Sequence, residues 1–138
     1  MKMERIVKRF YDSLEEGKMM GRKCQRCGAV EFPPVIACNT CSSTDMEWVE
    51  ISGRGRLFDF VLPGVLSSKP QNEVLQPYCY ACVELEEGSK FNAIVCGVSK
   101  NNKQDIISKL QNNLPVPIKA RIIQREGYKT VVFDLVTD

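Results

Sequence analysis

Four cysteines in two tight pairs, Cys24-Gln25-Arg26-Cys27 and Cys38-Asn39-Thr40-Cys41, constrain this chain more than any other feature. Two thiolates with two residues between them reach one ion from a single tight turn. Two such turns close a tetrahedral shell of four sulfurs, the arrangement that Zn²⁺ accepts in structural sites. Gly28 follows the first knuckle and Ser42-Ser43 the second. Lys23 precedes Cys24 and Arg26 precedes Cys27, and cations beside a cysteine favour the thiolate. Cys24, Cys27, Cys38 and Cys41 are therefore the expected metal ligands. With all four positions filled by sulfur, no place is left for water or substrate, so the ion is expected to be structural. Iron in a rubredoxin-like shell is the alternative, since four sulfurs suit it too.

Two other readings of the motifs carry less. A redox Cys-x-x-Cys is expected at a strand-to-helix junction in a βαβ pattern, and no such pattern surrounds these. A pair of disulfides needs an oxidising compartment. The start Met-Lys-Met-Glu-Arg lacks the apolar core of a signal peptide. Seven cysteines without an export signal point to the cytoplasm and to metal. No run approaches the roughly 18 apolar residues of a membrane span.

A length of 138 residues allows about one ordinary domain, or a small metal-stapled module joined to a compact barrel. The net charge of +2 does not by itself call for nucleic acid. The histidine count is zero. This removes His metal ligands, Ser-His and Cys-His nucleophile pairs, and imidazole acid–base catalysis. No pair of carboxylates is marked out in their place, so the chain is not expected to catalyse alone.

Residues 3–16 read as an amphipathic helix, with Met3, Ile6, Val7, Phe10, Tyr11 and Leu14 in one stripe and Gly17 as the stop. The spacing leaves open whether that stripe packs on its own chain or on a partner. A ribbon follows, its arm broken by Pro33-Pro34. Trp48-Val49-Glu50-Ile51 opens the next β element, with the lone Trp48 expected in the seam between ribbon and barrel. Ser52-Gly53-Arg54-Gly55-Arg56 reads as a bend entering a strand at 57–62. It lacks the third glycine and the following helix of a dinucleotide fingerprint. The longest irregular stretch is 63–77.

Residues 78–85 and 91–98 read as strands joined by a hairpin. A short helix is expected over 103–110, then a second hairpin of 116–125 and 128–136. Cys79 and Cys82 repeat the Cys-x-x-Cys text, but residues three apart in a strand point to opposite faces. They are read as core, as is Cys96. The fold class is thus mainly β: an N-terminal amphipathic helix (1–17), a rubredoxin-like zinc ribbon (18–47) and a five-stranded OB-fold barrel (48–138).

The order of motifs resembles a known family. Met20-Gly21-Arg22-Lys23-Cys24-Gln25-Arg26-Cys27-Gly28 leads into Phe32-Pro33-Pro34, the second knuckle, Trp48 and Gly53-Arg54-Gly55. Pro77-Tyr78 and Val83-Glu84-Leu85-Glu86-Glu87-Gly88 follow in the barrel. The set is similar to the zinc-ribbon plus OB-fold acyl-CoA-associated family, domain of unknown function thirty-five. That resemblance implies a non-catalytic accessory subunit of an acyl-CoA-handling complex. The partner it implies is a thiolase-like acyltransferase first and a MaoC-like enoyl-CoA hydratase second. A CoA thioester is then the implied shared ligand, its phosphates met by cations and its pantetheine by an apolar channel. Arg54, Arg56, Lys119 and Arg121 are the cofactor-binding candidates, with Lys69 and Arg125 behind them. A single-stranded nucleic-acid module is the alternative from another class, since ribbons and OB barrels both serve it. The near-neutral charge and the aromatic fraction of 8% speak against it.

Overall fold

The structure, a computed structural model, describes residues 5–62, 75 and 77–136. Met3, Lys69 and most of the expected irregular stretch lie outside the described residues. Helix α1 spans Arg5–Glu15, and Gly17 ends it in a left-handed conformation, φ 80°. Strands β1 (Met20–Cys24), β2 (Val30–Glu31) and β3 (Met46–Glu50) make a three-stranded sheet in the order β2-β1-β3. Five strands follow: β4 (Arg54–Val61), β5 (Tyr78–Leu85), β6 (Lys90–Cys96), β7 (Pro117–Gln124) and β8 (Lys129–Leu135). They close into a barrel of order β4-β5-β6-β8-β7. Helix α2 (Lys103–Gln111) sits between β6 and β7 and buries Ile106. The mainly β class, the ribbon and the five-stranded barrel agree with the sequence reading.

The barrel closes where β4 is paired on both sides. Gly55 lies opposite Leu85 of β5 and Ile118 of β7. A Cβ on Gly55 would run into the Glu84 carbonyl oxygen. Glycine at this point therefore answers a close approach of backbones. The Gly-rich stretch read as a bend is already strand from Arg54 onward.

One element lies on a different sheet from the one the sequence suggested. The strand through Trp48 pairs with β1 along its whole length, from Met20 opposite Glu50 to Cys24 opposite Met46. It belongs to the ribbon sheet, and the five barrel strands begin only at Arg54. The sequence marks residues 48–51 as β, the structure starts the strand at Met46, and the sequence does not name the strand's neighbour. Trp48 consequently misses the expected seam with the barrel. It lies opposite Arg22, and the Arg9 and Arg22 guanidiniums each sit 5.1 Å from its ring. Two cations on one indole join α1 to the ribbon sheet.

Aromatic rings fill the ribbon–barrel seam instead. Phe10 of α1 meets Phe32 at 5.7 Å, Phe32 meets Phe91 of β6 at 5.3 Å, and Phe91 meets Phe133 of β8 at 5.9 Å. The first two pairs are edge-on and the third is tilted; aromatic pairs add about 0.5–1.5 kcal/mol each beyond the area they bury. The helix stripe packs on its own chain: Leu14 is fully buried, and Phe10 and Tyr11 pack against the same core, though Val7 is left exposed. Leu14, Met19, Phe32 and Ile51 join barrel residues such as Leu57, Val83 and Phe133 in one continuous core.

Polar contacts complete the seam. The buried Ser89 hydroxyl in the β5–β6 hairpin donates to the Val30 carbonyl of the ribbon, and the Ser52 N–H donates to Glu87 Oε2 at 2.8 Å. Ser89→Ala leaves the Val30 carbonyl without that donor in a half-buried place. It is expected to cost about 1–3 kcal/mol, read as a lower midpoint in urea with an unchanged slope.

Candidate metal centre

Each cysteine pair occupies a turn whose backbone is closed by the same two hydrogen bonds. In the first, the Cys24 N–H donates to the Ala29 carbonyl (2.8 Å) and the Gly28 N–H to the Cys24 carbonyl (3.0 Å). In the second, the Cys38 N–H donates to the Ser43 carbonyl (2.9 Å) and the Ser42 N–H to the Cys38 carbonyl (2.8 Å). The knuckles are thus local copies of each other. The residue after each second cysteine must be left-handed: Gly28 has φ 80° and Ser42 φ 67°. Glycine takes that conformation freely, whereas a residue with a Cβ is strained there by about 1–2 kcal/mol.

The four sulfurs lie within 4.8 Å of one another. Across the knuckles, Cys24 Sγ is 3.5 Å from Cys41 Sγ, and Cys27 Sγ is 3.6 Å from Cys38 Sγ. A tetrahedron with Zn–S bonds of about 2.3 Å has sulfur–sulfur edges of about 3.8 Å, so the cluster has the size the ion requires. Cys24 and Cys38 are buried; Cys27 and Cys41 are exposed.

Backbone donors prepare half of the shell. The Cys27 N–H points at Cys24 Sγ and holds that thiol down at about 6. Cys38 is lowered by the Cys41 backbone N–H and then by that of Thr40, 3.3 Å from its sulfur. The Ala29 N–H favours a Cys27 thiolate, but desolvation and the sulfurs of Cys38, Cys41 and Cys24 outweigh it and push this thiol up to about 12. Four thiolates this close repel one another, and a divalent cation supplies the missing charge. A Zn²⁺ held by Cys24, Cys27, Cys38 and Cys41 would be closed to water and substrate and would act as a structural tie. Among the described residues this is the one grouping of metal-capable side chains.

The remaining cysteines are elsewhere. Cys79 is fully buried and Cys82 half-buried, on alternate faces of β5. Burial pushes the Cys79 thiol up to about 12 and raises that of Cys96.

The four cationic candidates share the outer barrel surface. Arg54 and Arg56 alternate on β4, Lys119 and Arg121 on β7, and all four are exposed. Register places Arg54 directly opposite Lys119. Carboxylates that the sequence reading did not pair with them hold the three arginines. Arg54 lies 3.6 Å from Glu86 and Arg56 2.7 Å from Glu84. Arg121 donates to both oxygens of Asp134, at 2.9 and 3.1 Å. These partners are visible only once strand register is known, because each pair is formed across a ladder. An apolar groove of 320 Å³ opens between β6 and β8, beside Val7, Phe10 and Pro34. It is two strands removed from β4 around the barrel, so the structure does not bring it together with Arg54 and Arg56.

Residues 12–47 match the family model for the ChsH2 rubredoxin-like zinc ribbon domain. The chain is 31% identical over 87 residues to a DUF35 domain-containing scaffold protein of Methanocaldococcus jannaschii, covering 62% of this chain and 60% of that one. It is 28% identical over 75 residues to the benzoylsuccinyl-CoA thiolase subunit BbsA of Thauera aromatica, covering 54% and 49%. It is 26% identical over 90 residues to a probable enoyl-CoA hydratase alpha subunit of Thermomonospora curvata, covering 65% and 27%. The chain therefore spans from about a quarter to three fifths of these curated relatives' lengths. A solved structure described as an Ltp2-ChsH2(DUF35) aldolase superposes with a TM-score of 0.70 at 20% identity, covering 98% of both chains, and confirms the fold. The resemblance drawn from the motifs holds: the chain carries a ChsH2-type zinc ribbon and has DUF35 scaffold proteins as homologues.

Two variants test the centre. Cys38→Ser is expected to lose the metal, measured as zinc per chain by plasma mass spectrometry, and to unfold the ribbon. Ser42→Gly removes the left-handed strain and is expected to stabilise the holoprotein by up to about 1 kcal/mol, seen as slower zinc transfer to a chelator. An unchanged or faster transfer would show that Ser42 is not strained.

Proposed function

We propose that this chain is a non-catalytic scaffold subunit of an acyl-CoA-handling enzyme complex, with a thiolase-type acyltransferase as its partner. The observation that carries this reading is its similarity to DUF35 scaffold proteins together with a thiolase subunit. The chemistry of the chain supports it. Its metal shell has no open ligand position, its sequence contains no histidine, and burial disfavours thiolates at Cys79 and Cys96. The partner then holds the reacting groups, while this chain presents a surface braced by the ribbon.

On this reading the CoA phosphates meet the face carrying Arg54, Arg56, Lys119 and Arg121. Glu86, Glu84 and Asp134 compete for its arginines, so the isolated chain binds CoA weakly. A hydratase partner is the second reading, favoured by the similarity to the hydratase alpha subunit.

The test is co-expression with a thiolase-type partner, followed by size-exclusion chromatography and a thiolysis assay. The expected result is one co-migrating complex whose activity falls at least tenfold when this chain is omitted. A thiolase fully active and stable alone would sink the proposal. Within a working complex, Lys119→Glu is expected to raise KM for CoA several-fold with kcat unchanged. An unaltered KM would remove Lys119 from the ligand face.

A further inference from the structure

The arrangement of the four sulfurs carries more than a static tie. Each short cross-knuckle contact joins one exposed cysteine to one buried one. Exposed Cys41 lies 3.5 Å from buried Cys24, and exposed Cys27 lies 3.6 Å from buried Cys38. An oxidant thus has access to one sulfur of each pair, and a second thiolate stands beside it in a protected place. Susceptibility of a cysteine to oxidation follows its thiolate character and its exposure, and metal binding keeps all four sulfurs deprotonated. The three cysteines outside the centre differ: Cys79 and Cys96 are buried and Cys82 is half-buried.

We infer that the metal centre is an oxidant-sensitive latch, opened by hydrogen peroxide through disulfides formed across the two knuckles. In the first step the exposed Cys27 thiolate attacks a peroxide oxygen. A sulfur–oxygen bond forms, the O–O bond breaks, and hydroxide leaves, giving the sulfenic acid. In the second step the buried Cys38 thiolate attacks that sulfur and expels a second hydroxide, forming the Cys27–Cys38 disulfide. Two thiolates are oxidised by two electrons, one peroxide is reduced, and two protons from solvent convert the hydroxides to water. Cys41 and Cys24 form the equivalent pair. Loss of two of four sulfurs as ligands ends tetrahedral binding, so zinc is released. A thiol reductant with added zinc restores the shell.

The consequence reaches the helix. Cys24 and Met46 are opposite each other at one end of the β1–β3 ladder. Trp48, two residues on, carries the Arg9 and Arg22 contacts that join α1 to the ribbon. Opening the latch frees this ladder end, and the single tryptophan reports it.

The experiment treats zinc-loaded full-length chain with hydrogen peroxide. Zinc release is followed with a colorimetric chelator, Trp48 fluorescence is recorded in parallel, and disulfides are mapped after trypsin and Glu-C digestion. Cleavage at Lys23, Arg26, Glu31 and Glu47 separates residues 24–26, 27–31 and 32–47 into distinct peptides. Expected are complete zinc loss, a matching fluorescence change, and links from 24–26 and from 27–31 to 32–47. Reductant plus zinc should reverse all three, and Cys82→Ser should release zinc at the wild-type rate. Zinc retained while Cys82 is oxidised would overturn the inference. So would a link between 24–26 and 27–31, or release accompanied by sulfinic acids in place of disulfides.

Discussion

Four sulfurs converge on one point in the first third of this protein, and an ion held there would tie that part of the chain together. The ribbon has strands of two to five residues, and apart from its ligands it buries only a few apolar side chains, among them Met19, Phe32 and Ile51. Hydrophobic burial on that scale does not order some thirty residues against the entropy of an unfolded chain. Binding of a structural zinc, worth about 10–16 kcal/mol in peptides at neutral pH, would. A bound ion would also set sheet geometry, because Cys24 is both a candidate ligand and the last residue of β1. The Gln25 N–H beside it reaches the Asp45 carbonyl at 2.8 Å. The knuckle therefore fixes where β3 meets β1.

From that anchor the order spreads through rings. Phe32 sits just past β2 and touches both Phe10 of the helix and Phe91 of the barrel. A single side chain thus links three parts of the chain, and the core beneath it is continuous from Leu14 to Phe133. Helix, ribbon and barrel present one surface.

Much of this was legible along the chain. Strand β5 falls at Tyr78–Leu85, between Pro77 and the Glu86-Glu87-Gly88-Ser89 turn, as these flanking residues indicate, and α2 extends its expected range by one residue. The candidate ligands were legible for a different reason: two thiolates in one tight turn can reach one ion whatever the surrounding packing. Position 42 illustrates the boundary. The backbone bonds that repeat across the knuckles demand a left-handed residue after each pair, and the sequence supplies glycine once and serine once. Only the conformation shows that the serine occupies a glycine's place.

Local chemistry and periodicity determined the candidate ligands, the mainly β class, the amphipathic helix and the absence of imidazole chemistry, because each depends on residues near one another in the chain. Tertiary structure alone decided the sheet to which Met46–Glu50 belongs, the seat of Trp48 between two arginines, and the carboxylates that hold Arg54, Arg56 and Arg121. Those outcomes turn on register between strands distant in sequence. A shift of one residue would send each side chain to the opposite face, and no single strand carries the information that sets it.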